Sequence, residues 1–285
     1  MSTLTITTIQ ADLQWEDKTA NLGRLEEKIL GIPGSTELVI LPEMFSTGFS
    51  MRPEVLAERM DGPTVDWMRR VAARKKIILT GSLIIEEEGK YFNRLLWMLP
   101  NGQYGQYDKR HRFAYAGENE HYTAGDKRLV ASVKGWKVLL LVCYDLRFPV
   151  WSRQTPPSGG AADSAVSGAA PGSGAAPGAA AAPEYDLLVY VANWPERRSH
   201  AWKTLLQARA IENQCYVAGV NRVGNDGNQI AHSGDSMIID PLGEVLYHGV
   251  AKEDVSTLTL HKERLEEIRQ RFPFWKDADH FNIEP

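Results

Sequence analysis

Cysteine is scarce in this sequence, and long apolar runs are absent. Only Cys143 and Cys215 occur among the 285 residues, which excludes a disulfide framework and fits a reducing, cytoplasmic compartment. The longest apolar stretch, Val138–Cys143, is far shorter than the roughly 20 residues that a helix needs to cross a bilayer. Because Met1–Gln10 has no basic segment ahead of an apolar one, we also expect no secretory signal.

Signals for metals, nucleotides and nucleic acids are missing too. The chain has neither a paired Cys-x-x-Cys motif nor a His-Glu-x-x-His sequence, and its seven histidines form no metal-binding pattern. It lacks Gly-x-Gly-x-x-Gly and Walker-type loops, so we expect no cofactor. The net charge of −4 argues against nucleic acid or an anionic membrane as the main partner. With 43% hydrophobic and 24% charged residues, the composition is typical of a soluble globular protein.

Short strand-like runs alternate with amphipathic helical patterns through most of the chain. Strands are predicted at Leu4–Gln10, Leu38–Leu41, Ile77–Leu83, Leu95–Leu99, Lys137–Val142, Leu187–Val191, Tyr216–Val220, Met237–Ile239 and Val245–Tyr247. Helices are predicted at Asp17–Leu30, Thr64–Arg74 and Ser199–Glu212, with Asp17 and Ser199 as N-caps and Gly31 as a stop. Asn101-Gly102 predicts a hairpin turn. Apolar strands that alternate with helices indicate a helix-covered sheet, and hence an α/β or α+β fold.

Residues 155–183 depart from this pattern, because they consist almost wholly of Ala, Gly, Pro and Ser. Such a composition buries too little apolar surface to offset the entropy of ordering. A linker between two domains is one interpretation. However, the strand-like runs on either side look like neighbours in one sheet, so we expect a single domain over residues 1–285 with an insertion loop at 155–183.

Three segments share one design, in which an apolar strand leads to a reactive side chain. Residues 38–42 lead to Glu43, residues 138–142 lead to Cys143, and the hairpin after Leu99 leads to Lys109. The carboxyl ends of sheet strands are where α/β enzymes place their ligands. Taken singly, each residue has a plainer interpretation. Cys143 fits a buried small hydrophobe, Glu43 a solvated turn carboxylate, and Lys109 part of a solvated basic run. Together the three indicate a catalytic site.

These segments resemble the signature of the nitrilase superfamily of carbon–nitrogen hydrolases. The resemblance lies in Leu41-Pro42-Glu43-Met44-Phe45, Tyr107-Asp108-Lys109-Arg110-His111 and Cys143-Tyr144-Asp145-Leu146-Arg147-Phe148-Pro149, and it covers nearly the whole chain apart from 155–183. It implies a Glu43–Lys109–Cys143 triad that forms a cysteine thioester. It also implies a four-layer α–β–β–α sandwich with pseudo-twofold related halves, and subunits paired through their outer helices as a homodimer or larger assembly.

Further segments resemble the bacterial omega-amidase branch of that superfamily. They are residues 44–49, 192–195, 207–213, 220–224, 233–236 and 272–274. This branch acts on omega-amides of dicarboxylic 2-oxo acids, so the resemblance implies 2-oxoglutaramate or 2-oxosuccinamate as the small-molecule substrate. Two alternatives stay open: an N-carbamoyl amino acid or nitrile hydrolase with the same triad, and a catalytically silent binding protein that keeps the fold.

The superfamily also carries a second glutamate that orients the lysine. Its counterpart lies in residues 117–121, where the spacing to Gly125 favours Glu118 and leaves Glu120 as the alternative. Phe49, Tyr144 and Trp194 are expected to line the pocket.

A substrate carboxylate requires an arginine fork or backbone donors. Arg147, Arg110 and Arg112 are near the triad in sequence, so each is a candidate for this contact. Arg147 has a second interpretation, in which it braces the turn after the nucleophile. Cys215, inside a predicted strand, is expected to be structural.

Overall fold

The computed structural model describes residues 2–154, 183–279 and 281–283. The predicted insertion at 155–183 therefore lies outside the described residues, apart from Pro183. In the described part of the chain the strands are β1 (Thr3–Gln10), β2 (Leu38–Ile40), β3 (Ile78–Glu87), β4 (Lys90–Met98), β5 (Tyr104–Asp108), β6 (Leu129–Val133), β7 (Trp136–Val142), β8 (Leu187–Val191), β9 (Tyr216–Val220), β10 (Val223–Asn225), β11 (Ala231–Ile239), β12 (Val245–Val250) and β13 (Asp254–His261). The α-helices there are α1 (Lys18–Leu30), α2 (Pro53–Leu56), α3 (Pro63–Lys75), α4 (Glu118–His121), α5 (Pro149–Ser152), α6 (Ser199–Asn213) and α7 (Lys262–Arg271).

The described strands form two sheets, each with parallel strands at its centre. One sheet has the order β13-β1-β2-β3-β4-β5, with β1, β2 and β3 parallel. The other has the order β10-β11-β9-β8-β7-β6, with β12 also paired to β11, and β7, β8 and β9 are parallel. The other strand pairs are antiparallel. Parallel strands buried on both faces explain the continuous apolar runs of the sequence.

Successive side chains of a strand point to opposite faces of its sheet and so pack against different layers of the fold. Leu38 and Ile40 of β2 join a buried apolar cluster that contains strands of both sheets, whereas Val39 packs with residues of α1 and α3. On the second sheet, α6 packs against β9 and β11 and contributes Trp202 and Leu206 to the core. Helices thus cover the outer face of each sheet, and the predicted four-layer α–β–β–α sandwich is confirmed.

Local signals in the sequence explain most of the element boundaries. The Asp17 carboxylate accepts a 2.9 Å hydrogen bond from the backbone N–H of Ala20, so Asp17 is the predicted N-cap of α1, and α1 ends at Gly31 as predicted. The predicted hairpin turn joins β4 to β5, and Gly102 has the positive φ of +84° that such a turn requires. The predicted N-cap role of Ser199 is wrong.

Ser199 lies inside α6, at its first residue, because a 3₁₀ turn at residues 196–198 leads directly into that helix. Its φ of −55° and ψ of −39° are already helical. The hydroxyl of Ser199 donates a 2.6 Å hydrogen bond to Asp235 instead of accepting one from the first turn of the helix.

Polar side chains gather where the parallel strands end. Glu43 lies three residues after β2, Cys143 directly after β7, and Asn193 two residues after β8. Because the carboxyl ends of parallel strands meet at one edge of a sheet, residues far apart in the chain come together here. The antiparallel strand β5 ends immediately before Lys109, which joins the same group.

Candidate active site

The Lys109 ammonium lies between two buried carboxylates. Its Nζ is 2.9 Å from Oε1 of Glu43, and 3.0 and 2.9 Å from Oε1 and Oε2 of Glu118. Side chains of all three residues are at most 1% exposed. Glu118 is therefore the glutamate that contacts Lys109, and Glu120, which is exposed, is not. Two carboxylates that share one ammonium ion compensate much of the cost of burying these charges.

Two asparagines fix the Glu43 carboxylate. Asn93 of β4 donates from Nδ2 to Oε1 of Glu43 at 2.8 Å and to Oε1 of Glu118 at 3.3 Å. The backbone N–H of Asn193 donates to Oε2 of Glu43 at 2.8 Å, and the Asn193 side-chain amide donates to the backbone carbonyl of Glu43. The sequence interpretation missed both asparagines as site residues. Asn193 lies in the segment 192–195 that resembles the omega-amidase branch, which is a signal that could have found it, whereas Asn93 lies in no segment singled out from the sequence.

Cys143 begins a tight 3₁₀ turn, Cys143–Arg147, with a backbone φ of +45°. A non-glycine residue in this left-handed region costs about 1–3 kcal/mol, which the surrounding structure must offset. Asp145 helps to hold the turn, because its Oδ2 accepts hydrogen bonds from the backbone N–H of Val142 at 3.0 Å and from the Tyr107 hydroxyl at 2.7 Å. Its Oδ1 accepts the backbone N–H of His111 at 3.0 Å. Asp145 thus ties the turn of Cys143 to the segment that carries Lys109.

Burial and neighbouring charges shift the protonation equilibria of these groups. Burial lowers the pKa of Lys109, but the charges of Glu118 and Glu43 together outweigh burial and hold that pKa above its ordinary value. Burial raises the pKa of the Glu118 carboxyl, and the Lys109 charge only partly opposes it. Burial also raises the pKa of the Cys143 thiol, the Glu43 carboxylate raises it further, and Lys109 lowers it less. Cys143 therefore carries its proton at neutral pH.

Two of the predicted pocket residues, Phe49 and Tyr144, lie close to this centre. Lys109 Nζ is 5.0 Å from the centre of the half-buried Phe49 ring. Tyr144 is half-buried, and its ring makes edge contacts with Phe113 at 4.9 Å and Phe148 at 5.2 Å between centroids. Cys143 itself is buried, with 8% of its surface exposed.

The arginines near the triad in sequence have different surroundings. The guanidinium of Arg147, an exposed residue, lies 5.0 Å over the Trp194 ring. Arg110 lies 4.6 Å over Trp151, and Arg112 donates to the backbone carbonyl of Tyr122 at 2.9 Å. The packing against Trp194 is consistent with both interpretations of Arg147.

The described residues also bear on metal binding and membrane insertion. Within residues 2–154, 183–279 and 281–283, no group of three His, Cys, Asp or Glu side chains is arranged to hold a metal ion. Among the helices of that same part of the chain, none has the length and apolar character needed to span a membrane. Cys215 is fully buried, as expected for a structural cysteine.

Known proteins resemble this chain over its full length. The chain is 40% identical over 287 residues to Omega-amidase YafV from Escherichia coli K12, covering 99% of this chain and 100% of the relative. It is 29% identical over 277 residues to 2-oxoglutaramate amidase from Bacillus subtilis, with 96% of each chain covered. Among solved structures, XC1258 from Xanthomonas campestris, a CN-hydrolase superfamily protein with an arsenic adduct in its active site, superposes with a TM-score of 0.90 at 42% identity over 100% of both chains.

The family-level match extends over most of the sequence. The model of the carbon-nitrogen hydrolase family matches residues 5–167 and 172–270. The likeness to Omega-amidase YafV covers 99% of the chain, and the likeness in fold to XC1258 covers all of it. The chain therefore belongs to the carbon-nitrogen hydrolase family.

Proposed function

We propose that this amidase hydrolyses the omega-amide of a small dicarboxylic 2-oxo acid, 2-oxoglutaramate or 2-oxosuccinamate, to the 2-oxo dicarboxylate and ammonia. The observation that carries the chemistry is the buried group of Glu43, Lys109 and Glu118 beside the Cys143 thiol. The choice of substrate is supported by the full-length likeness to Omega-amidase YafV and to 2-oxoglutaramate amidase.

The first half of the proposed reaction forms a thioester. Glu43 accepts the thiol proton of Cys143 as the sulfur adds to the amide carbonyl carbon. The oxygen of the tetrahedral intermediate becomes negative, and the Lys109 ammonium and the backbone N–H of Tyr144 stabilise it. Glu43 then passes its proton to the leaving nitrogen, the carbon–nitrogen bond breaks, and ammonia departs.

The second half releases the acid. Glu43 removes a proton from a water molecule, which attacks the thioester carbonyl, and the same oxyanion donors act again. The carbon–sulfur bond breaks, the thiol regains its proton, and the 2-oxo dicarboxylate leaves.

In this proposal Glu118 positions Lys109 and shares its charge. Glu118 is itself held by the backbone N–H of Phe113, which donates to its Oε2. Phe49, Tyr144 and Trp194 line the pocket, and Arg147 lies at its opening. We also infer a homodimer or larger homo-oligomer, as the resemblance to the nitrilase superfamily implies, and a cytoplasmic location, which the scarcity of cysteine favours.

A substrate panel with ammonia release as the readout tests the proposal. The purified protein is assayed with 2-oxoglutaramate, 2-oxosuccinamate, an N-carbamoyl amino acid and an aliphatic nitrile. We expect the highest kcat/KM for one of the two omega-amides. A higher kcat/KM for the carbamoyl or nitrile substrate would assign the chain to another activity of the superfamily, and no turnover of any of them would favour a silent binding protein.

A further inference from the structure

Arg198 lies beside the candidate active site, although it is distant in sequence from the triad. It is the last residue of the 3₁₀ turn that precedes α6, and it is half-buried. The guanidinium carbon lies 5.0 Å over the ring of Phe113. A guanidinium that stacks on an aromatic face keeps the donors in its plane available for another partner.

Arg198 and Arg147 stack on the rings of Phe113 and Trp194, two residues that adjoin the proposed catalytic groups. The ring of Phe113 contacts that of Tyr144, the residue after the nucleophile, and its backbone N–H is hydrogen-bonded to Glu118. The Trp194 ring lies under Arg147, and its Nε1 donates to the backbone carbonyl of Arg198 at 2.9 Å. The two guanidinium groups therefore stack on neighbouring residues of the same site.

The positive charge of Arg198 is available for an anionic ligand. Within the part of the chain that the structure describes, none of the ion pairs involves the side chain of Arg198 or Arg147. The pKa of Arg198 is lowered, first by burial and next by the charge of Arg197. The charge of Arg147 adds to this lowering, so Arg197 and Arg147 both repel the charge of Arg198. A bound carboxylate would compensate this repulsion between like charges.

We propose that Arg198 is a specificity-determining residue that binds the substrate carboxylate remote from the reacting amide, with Arg147 as a second positive charge at the opening. The inference rests on the proposed function, because an omega-amide of a dicarboxylic acid has an anionic group at the end opposite to its amide. A planar guanidinium matches a carboxylate with two parallel hydrogen bonds, which an ammonium group does not do.

A pair of substrates isolates the carboxylate contact. Glutaramate has a carboxylate opposite to its amide, and pentanamide has a methyl group at that position. The variants are Arg198→Met, Arg198→Lys and, as a matched control, Arg197→Met at the exposed neighbouring arginine. Ammonia release gives kcat and KM for each combination.

We expect Arg198→Met to raise KM for glutaramate by about 10- to 100-fold, the usual effect of losing a charged hydrogen bond. The kcat for glutaramate and the kcat/KM for pentanamide should stay near the wild-type values, and Arg198→Lys should restore part of the affinity. Arg197→Met should behave as the wild type does. An unchanged KM for glutaramate, or equal losses with both substrates, would overturn the assignment of Arg198.

A second measurement does not depend on turnover. Glutarate is tested for its ability to protect Cys143 from alkylation by iodoacetamide. Protection of the wild type that is weakened at least tenfold in Arg198→Met supports the carboxylate contact, even if the substrate panel has rejected the proposed function. Equal protection of both proteins, or no protection of the wild type, would refute it.

Discussion

Asn193 binds Glu43 at two points. Its backbone N–H donates to Oε2 of the carboxylate at 2.8 Å, and its side-chain amide donates to the Glu43 backbone carbonyl. Because Asn193 follows β8 and Glu43 follows β2, the two contacts also join the strand ends of the two sheets. Glu43, the proposed base, follows a strand of one sheet and is thus aligned by Asn193, which follows a strand of the other.

Replacing Asn193 by Ala should therefore lower activity and stability together. The variant leaves the buried carbonyl of Glu43 without its donor, which costs about 1–3 kcal/mol in the free energy of unfolding. A loosened Glu43 should reduce kcat by about tenfold or more. Urea unfolding and steady-state kinetics measure the two effects. Normal kcat in a destabilised variant would show that Asn193 is structural only.

Glu118 and Glu120 offer a matched pair of substitutions. Glu118→Gln removes one of the two charges that hold Lys109 and should lower kcat by about 10²-fold, as losing an oxyanion contact does. Glu120→Gln, two residues further on and exposed, should leave kcat unchanged. Equal kcat values in the two variants would contradict the proposed positioning role of Glu118.

The pH dependence of alkylation tests the state of the nucleophile. Since burial and Glu43 raise the pKa of the Cys143 thiol, little thiolate exists at neutral pH. The rate of Cys143 alkylation by iodoacetamide should keep rising with pH up to about pH 9 or beyond, the region of an unperturbed thiol. Cys143→Ala should abolish this labelling. A rate that levels off below about pH 7 would show a preformed thiolate and remove the need for Glu43 as base.

His232 should make the stability of the protein depend on pH. It is buried, and burial lowers its pKa to about 4, with the Arg222 charge acting in the same direction. The unfolded chain, with an ordinary histidine pKa near 6.5, binds a proton that the folded protein does not bind at intermediate pH. Stability is therefore complete above about pH 6.5 and falls as the pH drops toward 4, by up to about 3 kcal/mol.

Urea unfolding curves recorded from about pH 7 to pH 4 measure this loss of stability. His232→Gln should reduce the loss of stability over this range, whereas His200→Gln, at an exposed position of α6, should leave it as in the wild type. The same loss in wild type and His232→Gln would assign the pH dependence to other groups.

The buried parallel strands were the part of the fold that the sequence predicted best. The predicted strands Leu187–Val191 and Tyr216–Val220 agree with β8 and β9 residue by residue, because strands covered on both faces require continuous apolar runs. In contrast, β13 and α7 were not predicted. Only Leu260 of the eight residues of β13 is buried, so the strand contributes little apolar surface, and the short polar–apolar alternation of residues 257–261 is a weak signal.

Some residues of the candidate site were likewise predicted from the sequence, and others were not. Glu43, Lys109 and Cys143 were predicted because each follows an apolar strand or hairpin within a recognisable segment. Arg198 and the two asparagines were missed, because their relation to the site arises only when the two sheets pack together. The catalytic roles of the triad, the homodimer and the cytoplasmic location stay predictions.

The most direct test of the account is to detect the acyl group on Cys143 during turnover. Wild-type enzyme is mixed with glutaramate, quenched with acid and digested, and the peptide masses are compared with those of Cys143→Ala and Cys215→Ala. The account predicts an adduct equal to the substrate minus ammonia on the Cys143 peptide, absent in Cys143→Ala and retained in Cys215→Ala. Turnover that continues in Cys143→Ala at the wild-type rate would contradict it.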